Sequence, residues 1–247
     1  MKFLRKIINI LIILTLLIFI FIIGSNLLSS HKSTTIYNNL QSINPINLQT
    51  QNKNDNSFKT LSDINPDYQF WIKVNNTNID YPVVKGKDNN FYLENDIYKN
   101  KLKDGSIFAD YRSIFNSDFN TILFGHNMKN ANMFSTLNKF KDEDFFNSNN
   151  EITIVDDKNT YIYEVFSVYV VDATENFDYL YDMNKSNLST DNLNSYTDLL
   201  KSKSLYKTNN PNITSNKKIL TLITCSYEFD DARTIVHANL ISKTENK

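Results

Sequence analysis

One cysteine, three histidines and an arginine shortly after the cysteine are the residues with which this sequence could do chemistry. Cys225 lies in TLITCSYEFDDAR (221–233), where an apolar run ends in an acidic turn. A lone thiol makes no internal disulfide and no multi-cysteine zinc site, so Cys225 is either a small buried hydrophobe or a working nucleophile. A free thiol, with a pKa of about 8.5, is mostly protonated at neutral pH, so as a nucleophile it needs a base or a cation beside it. His126 is placed to be such a partner. It follows the apolar run TILFG (121–125), at a strand end of the kind from which loops present functional side chains. His31 sits in a polar segment away from any core, and His237 falls inside a strand pattern, where a hydrogen-bonded structural role is expected. Arg233 opens the run that follows the acidic turn. If the runs on either side of the turn are antiparallel neighbours, Cys225 and Arg233 stand at the same end. Period-two alternation groups Arg233, Ile235 and His237 on one strand face, and Thr221, Ile223 and Cys225 on one face of the other. There the guanidinium could hold an oxyanion or a substrate. The competing arrangement is a surface ion pair between Arg233 and Asp230 or Asp231.

Short β-type segments must carry these residues. FWIKV (70–74), IDYPVV (79–84), SIFAD (106–110), TILFG (121–125), EITIV (151–155), TYIYEVFSVYVV (160–171), KILTLIT (218–224) and TIVHANLI (234–241) are β-branched or aromatic and bounded by turn residues. Helical spacing is confined to MFSTLNKF (133–140) and DNLNSYTDLLKSKSLY (191–206), the latter with Thr190 or Asp191 as a possible cap. The pattern predicts a mainly β fold, a barrel of these strands with helices in its long connections. The longest connection falls between the sixth and seventh strands.

The N-terminus speaks to location. After Lys2, Arg5 and Lys6, residues 7–28 carry no charged side chain, enough for a helix to cross a bilayer core of about 30 Å. The run is longer than a signal-peptide core and lacks an A-x-A-like site, so it is read as an uncleaved anchor. The positive-inside rule then places residues 1–6 in the cytoplasm and the rest outside the cell membrane. The Ser-, Thr-, Asn- and Gln-rich tract 29–60 is expected to be a stalk, with a short helix near Ile36–Leu40, and 61–247 the extracellular domain. A formal net charge of −1, with both signs interspersed, offers no face for nucleic-acid phosphates. The acidic residues are scattered, so neither a metal site nor any other cofactor is expected.

TLITC at 221–225 resembles the TLxTC signature of sortases, the cysteine transpeptidases of Gram-positive cell envelopes, and FGHNMKNANMF at 124–134 resembles their histidine motif. Arg233 falls where that family has its arginine, and the order anchor, His, Cys, Arg also agrees. With NPDYQFWIKVNNTNIDYPVV ahead of the histidine and a helical insertion ahead of the cysteine strand, the chain is most similar to class B members over roughly 60–242. The resemblance implies an eight-stranded sortase-type barrel and a catalytic set of His126, Cys225 and Arg233. It implies substrate contacts at their neighbours Asn127, Ile223, Thr224 and Ser226. Cys225 would attack a sorting signal of the NPxT or PxT type in an exported protein. The resulting thioester would then pass to an amino group of a peptidoglycan precursor or cross-bridge. Ile223 stands where close relatives carry a serine. Two alternatives stand beside this one: an envelope thiol endopeptidase that only hydrolyses, and a non-catalytic membrane-tethered β-domain.

Overall fold

The structure, a computed structural model, describes residues 2–50, 57–148, 151–174, 177–182, 189–207 and 218–246. Two compact units divide at Leu40 and Gln41. The first is a helix, α1 (Lys2–Leu40), whose apolar side chains are exposed along the predicted span; Phe21 is 75% exposed. It is long and apolar enough to cross a membrane. The helix continues beyond the apolar run through SSHKSTTIYNNL, part of the expected stalk. The physical reason is cooperativity: nucleation is the costly step, and extending an existing helix through Ser, Thr and Asn costs only tenths of a kcal/mol per residue, roughly.

The second unit opens with a 3-10 turn (Gln41–Ile43), α2 (Pro45–Thr50) and α3 (Ser57–Ile64), the first two and the start of the third within the tract expected to be stalk. Asn44 begins α2, its side chain accepting from the Ile46 amide at 2.9 Å, while Pro45 occupies a first-turn position whose missing N–H costs nothing. Residues 51–56 of that tract lie outside the described residues.

Eight strands follow: β1 (Tyr68–Val74), β2 (Asp80–Val84), β3 (Ile107–Ala109), β4 (Asn120–Phe124), β5 (Glu151–Val155), β6 (Asn159–Asp172), β7 (Ile219–Cys225) and β8 (Ala232–Glu245). Each predicted run became a strand. They close into a barrel in the order β1-β2-β3-β4-β7-β8-β6-β5. Its interior is dense with large apolar groups such as Phe70, Ile72, Leu123 and Leu222, all essentially inaccessible. Trp71 is buried and satisfies its indole N–H on the Asp80 carboxylate at 2.6 Å.

Closure matters here because it makes β4 and β7 parallel neighbours, with Phe124 opposite Ile223, although two strands, three α-helices and a 3-10 helix intervene in the chain among the described residues. Parallel strands need a long crossover. This one carries β5, β6, α5 (Tyr179–Asp182) and α6 (Thr190–Lys203). The cap of α6 is Ser189, accepting from the Asn192 amide at 3.3 Å, rather than Thr190 or Asp191, because Thr190 already belongs to the first turn. Tyr196 and Leu200 of α6 pack on Phe166 and Ile219. The segment predicted as helix at 133–140 is a 3-10 helix, Ser135–Lys141, followed by α4 (Glu143–Ser148).

Candidate active site

Strand register brings three of the predicted residues together. Cys225 and Arg233 are paired partners across the antiparallel β7–β8 ladder. On the other side of β7, Phe124 of β4 lies opposite Ile223, and the Gly125 amide donates to the Ile223 carbonyl at 3.2 Å. Two residues further along each parallel strand, His126 comes level with Cys225. The Asn127 side chain confirms the approach by donating to the Cys225 carbonyl at 2.9 Å.

The side chains also share a face. Ile122, Ile223 and Ile235 belong to one core cluster, so alternation turns His126, Cys225 and Arg233 to the same side as that cluster, one row further toward the strand ends. At ~4.8 Å between neighbouring strands, the three Cα positions form a row with the cysteine in the middle. All three side chains are half-buried, and the thiol is free.

Arg233 makes no ion pair among the described residues and donates to the Ala232 carbonyl at 2.9 Å. The surface pairing with Asp230 or Asp231 is therefore absent. Asp172, held below the usual carboxylate range chiefly by bonds from Thr174, also feels the Arg233 charge but makes no ion pair with it, so the half-buried guanidinium keeps donors for something else. His126 places Nε2 2.8 Å from the Leu93 carbonyl oxygen, reaching the 3-10 turn Phe91–Leu93. The loop behind it is tight. Gly125 lies against the Phe134 ring, the Phe134 amide donates to the His126 carbonyl at 3.0 Å, and Ala131 and Met133 have positive φ of 61° and 56°.

The neighbouring predicted residues separate by face. Thr224 is buried with its hydroxyl donating to the Gly125 carbonyl at 2.8 Å, so it ties β7 to β4 from inside. Ile223 is 5% exposed among Ile122, Tyr169, Val171, Leu180 and Ile235, an apolar surrounding in which a serine hydroxyl would find little to bond. Ser226 is buried, and with Asn127, Ser135, Asn138, Lys141 and Glu228 it lines an open cleft of about 430 Å³. The Lys141–Glu228 ion pair in its lining links the β7–β8 turn to the 3-10 helix at Ser135–Lys141. Burial disfavours the charged form of Glu228, but bonding to Lys141 outweighs it and holds the carboxyl below its usual range.

Beneath the row, α5 covers the shared face through Leu180, with Phe177, Tyr179 and Tyr181 packed beside it. Tyr181 donates to the buried Asp110 carboxylate at 2.9 Å, and Arg112 stacks over the Tyr181 ring at 3.5 Å. Burial opposes ionisation of Asp110, yet donors from Arg112, Asn89 and Tyr181 keep its pKa lowered. This clasp was not predicted. Its one cue in the sequence is the pair of charges in ADYR (109–112).

His237 lies in this support and away from the row, fully buried opposite Thr221. The Asn120 side-chain N–H donates to the Leu180 carbonyl, so its oxygen accepts the one Thr221 hydroxyl proton at 2.7 Å. His237 Nδ1 must then donate to Thr221 at 2.8 Å, and Nε2 accepts from Tyr169 at 2.8 Å. Burial pushes its pKa down to about 3, so the ring is neutral. Among the described residues, no three His, Cys, Asp or Glu side chains come together as a metal ion would require.

A thiol, an imidazole and an unpaired guanidinium aligned across three strands can form and resolve an acyl-thioester. Comparisons with known proteins identify the family. The family model described as Sortase domain matches residues 72–241. The chain is 31% identical to sortase B of Listeria monocytogenes over 227 residues, 90% of each sequence. A crystal structure of Clostridium perfringens sortase B superposes with a TM-score of 0.69 at 43% identity, covering 74% of this chain and 99% of that one. A Staphylococcus aureus sortase B–substrate complex superposes with a TM-score of 0.76 at 29% identity, covering 87% and 99%. The row lies on a closed eight-stranded barrel shared with these proteins, and the chain belongs to the sortase family, among the class B cysteine transpeptidases.

Proposed function

We propose that this protein cleaves an NPxT- or PxT-type sorting signal after its threonine and transfers the exported protein to an amino group of peptidoglycan or its precursor. Cys225 Sγ attacks the threonine carbonyl, Arg233 donates to the developing oxyanion, and His126 protonates the departing amine. The thioester is then opened by the acceptor amine. Lys2, Arg5 and Lys6 ahead of the α1 span support a cytoplasmic N-terminus and a barrel held at the outer membrane face, where exported chains emerge. Asn127 and Ser226, on the cleft beside Cys225, and Ile223, on the thiol's own face, are assigned to substrate contact.

The observation that carries this reading is the His126–Cys225–Arg233 row, since it gives the nucleophile a proton carrier on one flank and an anion binder on the other. The test incubates the full chain in detergent with sorting-type peptides, with and without an amine acceptor, and follows products by mass spectrometry. Cleavage after threonine, a Cys225 acyl adduct released by hydroxylamine, and an amine-dependent ligation product are expected. Products that stay purely hydrolytic at saturating amine would identify an endopeptidase instead.

A further inference from the structure

The partner of His126 is a main-chain atom. Its Nε2 is 2.8 Å from the Leu93 carbonyl oxygen, and because a carbonyl only accepts, Nε2 carries the hydrogen and Nδ1 keeps the lone pair of the neutral ring. The turn presenting that carbonyl is firmly held. Tyr92, fully buried, donates to Asp67 at 2.6 Å and accepts from Asn65 at 2.8 Å, and its own carbonyl accepts from the Ser106 amide at 3.0 Å. Space for the turn exists only because residue 105 is glycine. Gly105 has φ +58°, and a Cβ there would stand 2.5 Å from the Leu93 oxygen and 2.6 Å from the Tyr92 oxygen. Both obstructions are backbone, so no side chain can swing aside to make room.

We infer that Gly105 and the Leu93 carbonyl form a positioning device for His126, fixing the Nε2–H tautomer so that the reacting proton moves at Nδ1. The inference rests on the proposed role of His126 as proton carrier. In the acylation step the Cys225 proton passes to Nδ1 and the sulfur–carbon bond forms. The scissile C–N bond breaks, and Nδ1 returns the proton to the departing nitrogen, leaving the ring neutral as it began. A ring free to flip would spend part of its time with its lone pair at the wrong nitrogen. Gly105 touches neither substrate nor thiol in this scheme and acts through Leu93.

The test is the tautomer itself, read from imidazole 15N shifts of the 15N-histidine-labelled full chain in detergent at alkaline pH, without substrate. His126 is expected as Nε2–H, and His237, bonded the opposite way round, as Nδ1–H, an internal reference within the same spectrum. An Nδ1–H or evenly mixed His126 overturns the proposal. Gly105→Ala, checked for a retained melting transition, is expected to mix the His126 tautomers and lower kcat at least tenfold with KM within about twofold. A folded Gly105→Ala protein with wild-type tautomer and kcat also overturns it. If that variant does not fold, the wild-type spectrum decides alone. Because the spectrum needs no substrate, a failure of the sorting reaction leaves its result standing.

Discussion

Cys225 and Arg233 face one another as paired residues on adjacent antiparallel strands, eight positions apart in the chain and joined by a turn that holds no other basic residue. The guanidinium is thereby fixed by backbone pairing. An ammonium on a flexible stem offers no planar fork from the same position. Arg233→Lys is expected to reduce kcat/KM for a sorting peptide about 10²–10³-fold, the usual loss for an oxyanion donor, with the melting temperature nearly unchanged. Activity within threefold of wild type would remove Arg233 from the mechanism.

Cys225→Ala and His126→Ala remove chemistry from half-buried positions at strand ends without opening a core cavity. Both should abolish cleavage and the acyl adduct while shifting stability by less than about 1 kcal/mol. Denaturant melts alongside mass spectrometry of the adduct check both halves of the statement.

His237 is neutral when folded and titrates at its ordinary value when unfolded. The unfolded chain therefore binds the extra proton, and stability falls as pH drops below about 6.5, at ~1.4 kcal/mol per pH unit, until the folded value near 3 is reached. Urea titrations between about pH 7 and pH 4.5 should show this slope reduced in His237→Gln, which remains active at neutral pH wherever it folds. Equal slopes in both proteins would mean that the ring is not held neutral.

Gly125→Ala puts a methyl group 2.7 Å from the buried Phe134 ring, one residue before the imidazole. Overpacking of this kind costs about 1–3 kcal/mol, and relief by moving the 125–134 loop displaces His126. Lower stability and a fall in kcat are expected together; a drop in melting temperature with kcat intact would show that the loop yields elsewhere.

Ile223→Ser places a hydroxyl into the apolar cluster under α5. Lost burial and an unmatched polar group should cost about 2–4 kcal/mol, while thiol acylation changes less than about tenfold. A stopped-flow acylation rate that rises with the serine would assign that position a catalytic hydroxyl which this protein lacks.

Much of the barrel was legible because its strands are β-branched or aromatic runs bounded by turn residues, a local signal. The β4–β7 pairing was not, since it joins segments almost a hundred residues apart and no local pattern encodes partners at that range. Cys225, His126 and Arg233 showed themselves through residue type and motif. Leu93 could not, because its contribution is a carbonyl that every residue owns. The nearest cue was Gly105, one of only four glycines in the chain and, with positive φ and backbone at 2.5 Å, one where a Cβ cannot stand. The helical course through 29–40 was hidden by polar composition, which reports solvent exposure better than it reports backbone conformation.

The parallel pairing of β4 with β7 also sets when this protein can first be reactive. His126 waits on a strand that is made early, and its thiol arrives only with the seventh strand, after the crossover has been laid down. Long-range parallel contacts of this kind are among the slowest to form. While the chain is still being made, His126 therefore stands without its thiol neighbour, and the proposed centre is expected to assemble as one of the last products of folding.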